Sequence, residues 1–123
     1  MELRVLEPQR QVIQSYGDGG FKISGLDHTG SVIVTALKTQ PWNLASITEM
    51  NIEKFCAKLE CLEEINVLLL GTGASIIAPP PKLGASLQSL GISLEIMDTG
   101  AACRTFNVLA SEERLTAAAL IST

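Results

Sequence analysis

Residues 65–70, INVLLL, are apolar except for Asn66. A strand without polar alternation needs cover on both faces, and such strands belong to parallel sheets with helices above and below. This run therefore constrains the fold class more than any other stretch. The chain that follows fits it. Leu83, Leu87 and Leu90 fall on one side of a helix expected to begin near residue 82, and Gly91 stands where a left-handed residue would end that helix. Ile92, Leu94 and Ile96 then alternate as a second strand, which makes a β-α-β unit with a right-handed crossover.

Upstream, VIQSYGDGGFKISG places two short alternating runs around GDGG, the pattern of a β-hairpin turn. GLDHTG is rich in turn formers and holds the single histidine, His28. SVIVTAL predicts a strand over residues 31–37, and KTQPWNLAS breaks the pattern. Trp42 is expected to pack under the loop that follows it. From Thr48 onward Ile52, Phe55, Cys56 and Leu59 recur at helical spacing, so they define a buried helix face. Asp98 or Thr99 is placed to cap a last helix, in which Ala102, Cys103, Phe106 and Ala110 form the buried stripe. The tail SEERLTAAALIST favours helix by local propensity.

One α/β domain over residues 1–123 is the expected organisation. Hydrophobic residues make up 46% of the chain and charged residues 18%. That balance lets a chain of this length bury about two thirds of its unfolded surface around one core. The net charge of −4 removes the electrostatic basis for nucleic-acid binding. No apolar stretch is long enough to cross a bilayer, and MELRVLEPQR lacks the layout of a signal or transit peptide, so a cytoplasmic location is expected.

The catalytic inventory is thin. GTGAS at residues 71–75 leaves a strand as a nucleotide-binding loop would, but Ile76 occupies the place of the third glycine, and the prolines of IIAPPPKL delay the helix. A tight turn is the better reading. Three cysteines cannot all pair within the chain, and none has zinc-site spacing, so neither metal nor cofactor is expected. Cys56 and Cys61 point about 140° apart on a helix, while Cys103 lies on the apolar stripe as an inert thiol. Glu60, Glu63 and Glu64, like Glu112, Glu113 and Arg114, read as solvated edges. Ser24, Asp27 and His28 are neighbours in a turn without hydrolase geometry.

One corner remains of interest. Loops at the carboxyl ends of neighbouring parallel strands converge, so Gly71, Thr72 and Gly73 should face the helix start at Asp98 and Thr99. Free backbone N–H groups and Arg104 would make that crevice a candidate site for a small anion or a partner's carboxylate.

The stretches LLLGTGASIIAPPPKL and MDTGAACRTFNVL, with YGDGGFKISG, GSVIV and PW before them, resemble the family that includes mitochondrial complex I (NADH dehydrogenase) assembly factor 3 and short bacterial proteins of unknown function. The likeness covers nearly the whole chain. It implies a three-layer domain with a central mixed β-sheet flanked by helices, plus an N-terminal β-hairpin. It also implies that residues 115–121 are the last strand, against their propensity. The family positions carried over are Gly71, Gly73, Thr99, Cys103, Arg104, Thr105 and Asn107, none with a catalytic role. The function expected is a non-enzymatic protein that binds another protein or a membrane complex and assists its assembly. The rival expectation is a small-molecule or anion site, with or without catalysis, between the Gly71 loop and the Thr99 helix start.

Overall fold

The computed structural model describes residues 11–112 and 114–123. Two sheets form. Strands β1 (Ile13–Gly17), β2 (Gly20–Ile23) and β3 (Leu26–Thr29) make an antiparallel meander. Strands β4 (Val32–Val34), β5 (Thr39–Pro41), β6 (Val67–Gly71), β7 (Ser93–Met97) and β8 (Thr116–Leu120) make a mixed sheet in the order β5-β4-β8-β6-β7. β6 runs parallel to both β7 and β8, and β4 runs antiparallel to β5 and β8.

Three helices flank the large sheet. α1 (Ile52–Glu60) follows a 3-10 turn at Ile47–Glu49 and is capped by Asn51, whose Oδ1 accepts from the Lys54 N–H at 2.9 Å. α2 (Leu83–Ser89) links β6 to β7, and α3 (Thr99–Ser111) links β7 to β8. One side of the sheet carries α1 and α2 over Ile33, Leu68, Leu70, Ala117 and Ala119. The other side carries α3 and the meander over Val32, Val34, Leu69, Ala118 and Leu120. Leu68, Leu69 and Leu70 have no exposed surface, so the uninterrupted apolar run is a strand enclosed from both sides.

α2 ends as its glycine predicts. Gly91 has φ +77, its N–H reaches the Gln88 carbonyl, and the Ile92 N–H reaches that of Leu87, each at 3.0 Å. This paired closure is the Schellman arrangement, which needs a residue without Cβ at the left-handed position.

Several expectations require correction. GLDHTG is a strand rather than only a turn: β3 pairs with β2 from Gly20↔Thr29 to Ile23↔Leu26, which brings His28 opposite Phe21. The hairpin thus gains a third strand. The strand expected over residues 31–37 stops at Val34, because Thr35 Oγ1 accepts from the Leu37 and Lys38 N–H groups and turns the chain back into β5. Pro41 is tolerated in β5 because that strand lies at the sheet edge, where a missing N–H costs nothing. Leu90 is exposed, outside the stripe that Leu83 and Leu87 form. Trp42 is buried as expected, but it stacks on Phe55 of α1, with ring centroids 5.3 Å apart.

The tail is a strand, as the resemblance implied and as propensity did not. β8 lies between β4 and β6, so its backbone is paired on both edges. Its three alanines are fully buried, and their small side chains let both covering layers come close.

Candidate functional site

The corner singled out in the sequence forms where three strands end. β6 leaves the sheet at Gly71. A Cβ there would stand 3.0 Å from Thr99 Cα, 3.0 Å from Leu120 Cδ2 and 3.2 Å from Ala102 Cβ, so the start of α3 rests on the strand exit at glycine-only distance. Asp98 is in extended conformation and caps α3, its Oδ1 accepting from the Ala101 N–H at 2.8 Å. Gly73 follows at φ +114, a conformation that side chains rarely adopt.

Thr99 ties the corner together. Its Oγ1 accepts from the Gly73 N–H at 2.9 Å and donates to the Ile121 carbonyl at 2.7 Å, while its own N–H donates to the Gly73 carbonyl at 2.9 Å. The Thr72 N–H donates to the Met97 carbonyl at 3.0 Å, and Thr72 Oγ1 donates to the Ser75 carbonyl at 2.7 Å and accepts from Ile77 N–H at 2.9 Å. Gly71, Thr72, Gly73 and Thr99 are all buried. The exits of β6, β7 and β8 are therefore fixed to one another by hydrogen bonds.

Gly71, Thr72, Gly73, Asp98 and Thr99 come together, and four of the backbone N–H groups at the corner are engaged. The N–H groups of Thr72, Gly73, Thr99 and Ala101 all have partners inside the protein. Arg104 is exposed, and its Nη1 donates to Tyr16 Oη at 3.2 Å. That contact reaches from α3 to the meander. Deeper in the same junction, Asn107 Nδ2 donates to the Ile13 carbonyl and its Oδ1 accepts from the Ile13 N–H, both at 2.9 Å.

Tyr16 and Ile121 are the members of this network that the sequence did not suggest. Ile121 takes part through its carbonyl, which no side-chain pattern reports. Tyr16 looked like one more alternating residue of a hairpin.

Cys103 lies in the core at 2% exposure, and burial pushes its thiol up from 9.0 to about 12. The Arg104 charge opposes that rise and Asp98 adds to it. Burial and then the Glu60 charge also raise Cys56. Such thiols are poor nucleophiles at neutral pH. All three cysteines are free, and Cys61 at the end of α1 is exposed. Among the described residues no group of three His, Cys, Asp or Glu side chains is placed to hold a metal ion, and no helix is long and apolar enough to cross a membrane.

Residues 13–121 match the profile of a family described as proteins of unknown function (DUF498/DUF598). The chain belongs to this family. Within the DUF498/DUF598 family and its neighbours, it is 39% identical over 110 residues to NADH dehydrogenase [ubiquinone] 1 alpha subcomplex assembly factor 3 of Danio rerio, covering 89% of this chain and 63% of that protein. The chain thus spans less than two thirds of that relative's length. An uncharacterised protein of Rhodobacter capsulatus is 35% identical over 109 residues, covering 89% of this chain and 82% of its own. A crystal structure described as an outer membrane protein from Bartonella henselae is 37% identical, with a TM-score of 0.82 over 94% of this chain and 97% of that one. That crystal structure shares the fold of this chain.

Proposed function

We propose that this DUF498/DUF598 protein is a non-enzymatic protein-binding domain, one unit over residues 1–123, that assists assembly of a respiratory or other membrane complex from the cytoplasm. The observation that carries this reading is the 39% identity, over 89% of the chain, to a protein named as a complex assembly factor. The chemistry of the corner supports it. The N–H groups of Thr72, Gly73, Thr99 and Ala101 are engaged internally, and the Cys103 thiol is buried. A scaffold of this kind presents surface and does not turn over substrate.

The proposed contact region comprises the corner formed by Gly71, Thr72, Gly73, Asp98 and Thr99 together with the exposed Arg104 of α3. The test is affinity purification of the tagged protein from native membranes and cytosol, with mass spectrometry of co-purifying chains. Enrichment of subunits of one membrane complex is expected. Absence of any enriched partner overturns the reading. The anion-site alternative is weaker, because four of the N–H groups at the corner are already bonded. Nucleotides, phosphates and carboxylates screened by thermal shift on wild type and Arg104→Ala address it, since a ligand of the folded state raises Tm by mass action.

A further inference from the structure

We infer that the outer edge of β7 is a docking site for an extended segment of another protein that carries a Lys or Arg opposite Glu95. This adds a second surface to the corner proposed above and rests on the protein-binding reading. β7 is the last strand of the sheet and pairs only with β6. The Ser93 N–H donates to the Asn66 carbonyl and the Met97 carbonyl accepts from Thr72, so residues 93, 95 and 97 turn their backbone groups inward. Strand geometry then turns the N–H and C=O of Leu94 and Ile96 outward, where no described strand meets them. A row of unpaired groups of this kind is a template for one more strand.

The two edges of the sheet differ. β5 has three residues and ends in Pro41, which blunts it. β7 has five residues and neither proline nor bulge. It also has room on both sides. α3 packs over β6 and β8 and leaves a groove of about 570 Å3 beside Val67, Glu95, Met97 and Leu109, with Arg114 also lining it. On the other face a second groove of about 540 Å3 lies beside Gly84, Gln88 and Leu94. An added strand would lay alternate side chains into these two spaces.

Charge selects the occupant. Glu95 is exposed at the centre of the edge and has no ion-pair partner among the described residues. In the antiparallel register that satisfies all the outward groups of Leu94 and Ile96, a second copy of this chain would set Glu95 directly against its own counterpart. Like charges directly opposite are destabilising, so self-pairing is opposed and a basic residue is favoured there. Apolar neighbours of that residue would lie beside Leu94 and Ile96.

Two capped peptides test this, Thr-Val-Lys-Val-Thr and Thr-Val-Glu-Val-Thr, titrated into the isotopically labelled full chain with amide shifts and hydrogen exchange as readouts. The Lys peptide is expected to shift the Leu94 and Ile96 amides, slow their exchange, and bind about threefold to tenfold tighter than the Glu peptide. Glu95→Lys should reverse the preference. Ile96→Pro should abolish binding while keeping the fold, because it removes an outward N–H and no ladder bond. Absence of shifts at Leu94 and Ile96 with either peptide, or equal affinity for both that Glu95→Lys leaves unchanged, overturns the inference. So does concentration-dependent pairing of β7 with itself. If wild type and Glu95→Lys co-purify the same partner equally, this edge is wrong but protein binding stands; if neither captures a partner, the broader reading fails.

Discussion

The hydroxyl of Thr99 bridges Gly73 and the end of β8: it accepts from the Gly73 N–H at 2.9 Å and donates to the Ile121 carbonyl at 2.7 Å, with no solvent exposure. One side-chain oxygen thus joins the exits of two strands to the first turn of α3. Replacement by valine keeps the shape and removes both bonds. Each orphaned buried group costs about 1–3 kcal/mol, so Thr99→Val is expected to lose about 2–6 kcal/mol of stability. Thr99→Ser should retain most of it. Urea unfolding of the two variants checks the difference.

Gly71 and Gly100 make a matched pair with opposite expectations. At Gly71 an added methyl meets the Thr99 backbone, which cannot swing aside, and Gly71→Ala is expected to cost about 1–3 kcal/mol. At Gly100 the nearest atom would be Tyr16 Oη at 2.5 Å, the tip of a side chain that is 44% exposed. Tyr16 can rotate away, and in the first turn of α3 alanine gains part of the about 0.8–1 kcal/mol by which it exceeds glycine in a helix interior. Gly100→Ala should therefore be near neutral in stability. Thermal melts of both proteins separate the two cases.

Asn107 holds the meander to α3 through both backbone groups of Ile13. Asn107→Leu cannot supply either bond, and a loss of about 1–3 kcal/mol is expected. The effect should be local first. Hydrogen exchange is expected to accelerate in β1 and β2 while Leu68, Leu69 and Leu70 remain protected, and uniform acceleration across both sheets would count against a separate attachment.

Cys103 gives stability a pH dependence of definite sign. Its thiol is held near 12 in the folded protein against 9.0 ordinarily, so the unfolded chain ionises first as pH rises. The contribution is complete below about pH 9 and is lost as pH climbs towards 12. Cys103→Ala should flatten this alkaline decline in a denaturation series. In the native state a bulky thiol reagent should modify exposed Cys61 quickly and Cys103 only on unfolding, so rapid native labelling of Cys103 would contradict its burial.

Much of the architecture was legible in side-chain periodicity. The enclosed strand at residues 67–71, the helix ended by Gly91, the Asp98 cap and the stripe of Ala102, Cys103, Phe106 and Ala110 all follow from spacing and from residue types with one conformational preference. Those signals are local: each depends on residues within a few positions of one another. The close approach of Gly71 to Thr99 was also foreseeable, since parallel strands joined through a helix bring their carboxyl ends together. Whether the amides there would be free was not foreseeable, because their partners are backbone carbonyls and a hydroxyl contributed from far along the chain.

The sequence by itself determined the β-α-β unit, its covered strand, the end of α2 at Gly91 and the start of α3 beside Asp98, because hydrophobic period and capping chemistry act over short range. Tertiary structure decided that TAAAL is a strand, which the family resemblance implied but local propensity opposed, that LDHT extends the hairpin into a sheet, and that the Gly73 amide is bonded to Thr99. In each case a distant segment supplied the hydrogen bonds, and the pairing energy of two satisfied strand edges outweighed the weak helical preference of three alanines.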